Sequence, residues 1–310
     1  MFLVLSFFCW CSSEAKESLK IYYSQHPDTI FQHYWRKFIL ATFDCEEIVD
    51  PSFTDVDHGS VVFIATGRLA KDAKSNLLAQ MKTKSLLIVH LGDETYQADW
   101  EVYRQSFCTF REYYCNSPDP EKKIFFLPLA CKHDFLVDMA YEDLPKIGNR
   151  KYQWSFVGQV SKSNREKMLQ NFLKLKIPYT THFNSNFDSK DCLSTDSYQS
   201  ILKQTIFIPS PKGWVNDDCY RLYEALESGC IPIVERGPRN YFKHYYGDVP
   251  FIVVEDWSKV KEVIYPLLRD TIRLESIRKE CFDWWVQLKK EKKAELKKKI
   301  NELLKKITKS

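Results

Sequence analysis

The sequence predicts an α/β protein built as two doubly wound, Rossmann-like domains facing a cleft, and three observations predict it. Short apolar runs alternate with helical periods along most of the chain, the pattern of parallel strands covered by helices on both faces. That alternation stops at a polar stretch carrying Pro and Gly, YEDLPKIGNRK (141–151), and then begins again. The chain is also long enough: 310 residues, 44% apolar and 15% aromatic, where a domain holds roughly 100–200 residues.

In the first half, LKIYYS (19–24), SVVFIAT (60–66), SLLIVHL (85–91) and KIFFLPL (123–129) read as buried strands. Between them, DTIFQHYWRKFILATF (28–43) and RLAKDAKSNLLAQMKT (68–83) have helical period. The second half opens on the strand WSFVGQ (154–159) and a helix SNREKMLQNFLKL (163–175), whose Ser163 and Glu166 are spaced as a capping box. YTTHF, a helix around DSYQSILKQ, TIFIPSPKG, a helix over 217–229, IPIV and FIVVEDW follow, then SKVKEVIYPLLRD. The expected division is 18–145 for the first domain and 146–288 for the second, with 289–310 as a basic amphipathic tail.

Charge supports this division. From Gln287 to Ser310 there are ten Lys and three Glu, so a chain of net charge +4 has a mildly acidic body. That excludes a broad nucleic-acid surface. In the tail, Leu296, Ile300, Leu303, Leu304 and Ile307 form one apolar stripe. A solvated helix packing weakly on the body is one reading of it, and attachment to an anionic membrane or a coiled-coil partner is another. The N-terminal MFLVLSFFCWC is too short to span a bilayer, which takes roughly 20 residues. It fits a signal peptide or truncated signal anchor over 1–17, with a buried first strand as the alternative. Ten cysteines hint at an oxidising compartment, and the eight outside the apolar run permit disulfides; the lack of any Asn-x-Ser/Thr acceptor points the other way. None of the cysteines has zinc spacing, so no metal is expected.

The stretch PSPKGWVNDDCYRLYEALESGCIPIVE (209–235) carries the chemistry. With a helix from Asp217, a turn of 100° per residue puts Asp217, Arg221, Glu224 and Ser228 on one outward stripe. Cys219, Leu222, Tyr223 and Leu226 fall opposite, against the sheet, and Gly229 closes the helix. A surface ion pair between Arg221 and Glu224 would explain the stripe blandly. Position argues for more, because the helix begins just past the carboxyl end of a strand, where open α/β sheets bind ligands. Lys212 and Gly213 offer charge and close backbone approach there, suited to a phosphate.

The same segment resembles the exostosin-like glycosyltransferases in TIFIPSPKG and in RLYEALESGCIPIV. YQWSFVGQVSKSNREKM (152–168) is similar to the strand and loop that open their nucleotide-sugar domain. HLGDE (90–94), RQSF, REYY and FFLPL are similar to the acceptor half of the branch containing ribitol-5-phosphate xylosyltransferase. The likeness spans roughly residues 60–260. It implies a GT-B fold and inverting transfer from a UDP-sugar, xylose first, to a glycan acceptor such as a ribitol-phosphate-bearing O-mannosyl glycan. It also implies no permanently bound cofactor or metal, and a place in the Golgi or ER lumen. Another donor (glucuronic acid, GlcNAc or galactose) and a non-catalytic nucleotide- or carbohydrate-binding relative are the alternatives. By the resemblance, Glu224 bonds the ribose hydroxyls and Arg221 offsets diphosphate charge, while Gly158 and Arg165 line the diphosphate from the other loop. Lys212 stands where such proteins often carry Arg, which keeps the charge without the bidentate fork.

Inverting transfer also needs a base for the acceptor hydroxyl. Asp93 and Glu94, at the carboxyl end of SLLIVHL, are the first candidates, against a plain solvated turn after Gly92. His26, after LKIYYS, is second, since an imidazole ordinarily titrates near neutrality. Trp154, Trp214 and Trp257 could stack on a sugar or base, although buried aromatics are more often core.

Overall fold

A computed structural model describes residues 18–29, 33–97, 100–113, 119, 121–132, 135, 139–187, 189–238 and 240–309. The apolar N-terminus, 1–17, lies outside these residues. The first domain runs β1 (Leu19–Tyr23), α1 (His33–Thr42), β2 (Cys45–Val49), β3 (Val61–Ile64), α2 (Lys71–Met81), β4 (Leu87–His90), α3 (Trp100–Gln105), β5 (Cys108–Arg111) and β6 (Ile124–Phe126). Its strands form one parallel sheet in the order β2-β1-β3-β4-β5-β6. Alternation in β3 explains why this sheet needs cover on both sides. Val61 and Phe63 enter one core, while Val62 and Ile64 enter another with Ala73, Leu77 and Met81 of α2.

The second domain runs β7 (Tyr152–Val157), α4 (Arg165–Leu173), β8 (Tyr179–His182), α5 (Thr195–Lys203), β9 (Thr205–Pro209), α6 (Tyr220–Glu227), β10 (Ile231–Glu235), α7 (Tyr241–Tyr246), β11 (Ile252–Val254), α8 (Val260–Arg269) and α9 (Thr271–Ile307). Its parallel sheet has the order β11-β10-β9-β7-β8. Pro232 sits inside β10 without costing a ladder bond. Ile233 gives its carbonyl to the β9 side, so Pro232 faces β11, whose pairing starts only at Ile233.

Three local expectations change. The linker is packed: Leu144 and Ile147 are buried, and the buried Arg150 donates to the carbonyls of Pro145, Thr205 and Ser228. The capping box does not form, because α4 starts at Arg165 with Asn164 before it and Ser163 in a left-handed conformation (φ 54°). The tail is no separate segment. It is the end of α9, a helix of 37 residues, about 55 Å long at 1.5 Å per residue.

α9 leaves the second domain and closes on the first. Trp285 packs on Tyr223, and Lys289 makes a buried ion pair of 2.6 Å with Glu227. Further on, Lys293 lies over Tyr34 and Phe38, Lys299 over Phe125, and Ile307 against Gly59. The stripe residues Leu296, Ile300 and Leu303 are fully buried. The apolar face that could have met a membrane is therefore occupied by the protein's own first domain. Among the described residues no helix is long and apolar enough to cross a membrane.

Candidate functional site

A cleft of about 410 Å³ opens at the carboxyl end of β7. The strand order reverses there, since β8 lies to one side of β7 and β9 to the other, which is where such sheets take ligands. Val157, Gly158 and Gln159 follow β7, His182 and Asn184 come from the end of β8, and Tyr198 from α5. α6 contributes Arg221 and Glu224, α4 contributes Arg165, and Lys132 and Phe135 reach in from the segment joining the domains.

Glu224 is buried and held from both sides. The Tyr198 hydroxyl donates to one carboxylate oxygen (3.0 Å), and the Lys132 backbone N–H donates to the other (3.3 Å). Burial pushes its pKa up, while Arg221 and Tyr198 oppose the rise. Burial, and then the Glu224 charge, hold the Tyr198 hydroxyl protonated. One turn back on α6, Arg221 lies 4.5 Å above the Phe156 ring and donates Nη2 to the Val157 carbonyl at 2.8 Å. Its Nε is buried with no hydrogen-bond partner, as are Gln159 Oε1 and Asn184 Oδ1 beside it. Leaving a buried polar group unpaired costs about 1–3 kcal/mol, so the cleft is complementary to a polar ligand that supplies partners.

Gly158 shapes the floor. Its φ is 138°, and a Cβ there would stand 2.6 Å from Arg221 Nη2. Arg165 donates to the Gln159 carbonyl (2.9 Å) and, through Nε and Nη2, to the Lys212 carbonyl (3.3 and 3.1 Å). Burial first, and the neighbouring Arg221 charge second, lower its pKa to about 10. It therefore still carries its charge at neutral pH, and the cleft holds two guanidinium groups.

The four-residue stripe expected on the helix divides. α6 begins at Tyr220, not Asp217, so only Arg221 and Glu224 share the cleft, and they face a pocket instead of open solvent. Asp217 precedes the helix, pairs with Lys212 Nζ at 2.8 Å and packs against Gly237. Ser228 follows the last turn and gives its carbonyl to Arg150. Lys212 and Gly213 also lie outside the cleft wall, in a loop that meets the first domain. A Cβ on Gly213 would stand 2.6 Å from Glu94 Oε1.

Asp93 and Glu94 do follow β4, and both are engaged. Asp93 Oδ2 pairs with Arg111 at 3.0 Å, with side chains 1% and 0% exposed, and Asp93 Oδ1 accepts the Gln97 N–H at 2.8 Å. Glu94 Oε1 accepts the N–H groups of Trp214, Val215 and Asn216 at 2.5, 2.8 and 3.3 Å. His26 stands after β1, where the order of the first sheet reverses, with its side chain 62% exposed and Asp28 3.5 Å away. Trp154 and Trp257 are fully buried, and Trp214 is 71% exposed on the loop.

Lys132, Tyr198 and Asn184 escaped sequence reasoning because each reaches the cleft from a segment with no motif of its own. Two buried acids at the domain junction did so as well. Glu112 accepts the Gly92 N–H at 3.0 Å, and burial raises its pKa well above the carboxylate range. Asp218 accepts from Tyr223 and Tyr241, and burial pushes its pKa up to about 7. Among the described residues Cys45, Cys108, Cys192, Cys219, Cys230 and Cys281 are free thiols, four of them buried. Among the described residues no group of three or more His, Cys, Asp or Glu is placed to hold a metal ion.

Two parallel Rossmann-like sheets, with a ligand cleft at the switch point of the second, define a GT-B fold. A solved α1,3-fucosyltransferase shares it with a TM-score of 0.55 at 12% identity, over 86% of this chain and 83% of that one. A GDP complex of an α1,3-fucosyltransferase aligns with a TM-score of 0.50 over the same shares. The family model of the RXYLT1 C-terminal domain matches residues 136–306, more than half of the chain, and the chain belongs to that family. Ribitol-5-phosphate xylosyltransferase 1 of Danio rerio is 27% identical over 251 residues, covering 67% of this chain and 54% of its own length. The Homo sapiens protein of the same name is 26% identical over 289 residues, covering 79% and 62%. The chain thus spans little more than half the length of these relatives.

Proposed function

We propose that this chain is an inverting glycosyltransferase that binds a UDP-sugar in the second-domain cleft and passes the sugar to a glycan acceptor. The observation that carries the proposal is the convergence of Glu224, Arg221 and Arg165 on one cleft whose buried polar atoms include several without partners. Each oxygen of the Glu224 carboxylate keeps a lone pair beyond its present bond, enough to accept two ribose hydroxyls. Arg221 and Arg165 offset the charge of the diphosphate. The names of the relatives make xylose the first donor and a ribitol-5-phosphate-bearing glycan the first acceptor. The Golgi or ER lumen belongs to the same proposal.

In such a transfer the acceptor oxygen bonds the anomeric carbon as that carbon's bond to the diphosphate oxygen breaks. UDP leaves with the electron pair, stabilised by the guanidinium charges. The hydroxyl proton goes to a base on the first domain. We assign that role to His26, whose ring is exposed at the switch point, in preference to the engaged Asp93 and Glu94.

Calorimetry with UDP tests the site. Glu224→Ala is expected to lose UDP binding while melting like the wild type, and unchanged affinity would overturn the assignment. A wild-type protein that binds UDP but transfers from no UDP-sugar would instead be a non-catalytic relative.

A further inference from the structure

Glu94 makes an unusual set of contacts for a residue at the end of a first-domain strand: it reaches into the other domain. Its Oε1 collects the N–H groups of Trp214, Val215 and Asn216. Its backbone carbonyl accepts Asn216 Nδ2 at 2.6 Å, and the Tyr96 hydroxyl bonds Asn216 Oδ1. Gly213 is the residue that lets the carboxylate this close, because any Cβ there would collide with it. From the opposite side, the loop is gripped by Arg165, which holds the Lys212 carbonyl and itself lines the cleft.

We propose that Glu94 is a positioning residue: it fixes the 213–216 loop against the first domain and thereby sets Arg165 in the nucleotide cleft. The proposal rests on reading that cleft as the UDP site. A carboxylate suits the task because one charged oxygen can serve several converging amides, each in a charge-assisted bond. The chain of contacts runs without a gap from Glu94 through three amides and the Lys212 carbonyl to Arg165, and from there to the Gln159 carbonyl after β7. With the carboxylate removed, the loop samples other positions. The fraction of protein with Arg165 in place falls, and the apparent affinity for an anionic nucleotide falls with it.

Hydrogen exchange and UDP calorimetry on the full chain test this, with Glu94→Ala, Glu94→Gln and Gly213→Ala. Glu94→Ala is expected to speed exchange of the 214–216 amides and of 159–165, and to weaken UDP binding about tenfold. Gly213→Ala, which displaces the carboxylate from the loop side, should reproduce both effects and carries the test if Glu94→Ala fails to fold. Glu94→Gln keeps an acceptor oxygen and should stay within about threefold of the wild-type affinity, with an unshifted pH profile of transfer. Unchanged exchange in Glu94→Ala and Gly213→Ala overturns the proposal, as does a loosened loop with wild-type UDP affinity. Glu94→Gln losing transfer as completely as Glu94→Ala would make Glu94 the base instead. If wild type binds no UDP, the nucleotide reading falls, while exchange at 159–165 still decides whether Glu94 holds Arg165.

Discussion

Asp93→Asn separates structure from chemistry at the carboxyl end of β4. The wild-type carboxylate and Arg111 are 3.0 Å apart and almost completely buried, so the substitution leaves a guanidinium in the core without its counter-ion. Removing one partner of a buried pair costs about 3–5 kcal/mol. Two features bear on where in that range the cost falls. Arg111 lies 5.5–5.9 Å from the rings of Tyr96, Trp100 and Tyr103, which offset part of the unpaired charge. Glu112, next in the chain, has its pKa raised by burial, which works against its standing in as the counter-ion. A cost of about 3 kcal/mol is a large part of the roughly 5–15 kcal/mol that keeps a protein folded. With a urea slope of about 1–3 kcal/mol per molar, the midpoint should fall by ~1–3 M. Because the pair is buried, added salt should change the difference little. Urea titration followed by tryptophan fluorescence measures it, beside transfer assayed at a temperature where both proteins are folded. Asp93→Asn with a wild-type midpoint and abolished transfer would refute the reasoning and return Asp93 to the role of base.

Three further outcomes follow from other contacts. Gly158→Ala places a methyl 2.6 Å from Arg221 Nη2 at a backbone angle that L residues rarely adopt, and should weaken UDP binding about tenfold or more in calorimetry. Asp218 keeps its proton in the folded state up to about pH 7, whereas an unfolded Asp loses it near about 3.9. Stability should therefore fall as pH rises between these values, by at most ~1.4 kcal/mol per pH unit, and Asp218→Asn should flatten that part of a midpoint-against-pH plot. Ile300→Ala empties a fully buried position on α9 and should cost about 2–5 kcal/mol. The exposed neighbour Lys297→Ala should stay within about 0.5 kcal/mol in the same denaturation assay.

What could be read ahead of the structure was decided by burial on both faces. β3, β4 and β9 are continuous apolar runs because both sides of each strand are covered. β2 was missed because it is an edge strand whose Glu46 and Glu47 face outward, Glu47 meeting Arg36 at 2.7 Å. β5, CTFR, is fully buried yet polar, with Thr109 bonded to Ser106 and Arg111 paired with Asp93 through Nη2 while its Nη1 has no hydrogen-bond partner; no periodicity reveals a strand whose polar groups are met from elsewhere. The same limit applies to the site. Helical spacing joined Arg221 to Glu224 because both lie on one helix. It wrongly added Asp217 and Ser228, since nothing local shows that the helix starts at Tyr220. Tyr198 and the Lys132 amide, which orient Glu224, belong to other segments and meet it only in three dimensions.

The cleft depends on how the domains are held, and the ties differ in kind. Interfaces between domains of one chain ordinarily permit relative motion unless they are large and apolar. Here α9 buries Leu296, Ile300 and Leu303 in a core that also contains residues of both sheets, so it fixes the coarse placement of the domains by apolar area. The Lys132 amide on Glu224 and the Glu94 carboxylate on the 213–216 loop bury little area and act on the cleft directly. A single hydrogen bond contributes about 1 kcal/mol, comparable to the energy that separates a tight nucleotide site from a tenfold weaker one. Perturbing α9 should therefore change stability first and ligand affinity second, while perturbing Glu94 or Tyr198 should change affinity with little loss of stability. A Tyr198→Phe protein that melts like wild type and binds UDP more weakly would fit this division of labour, and one that binds UDP like wild type would break it.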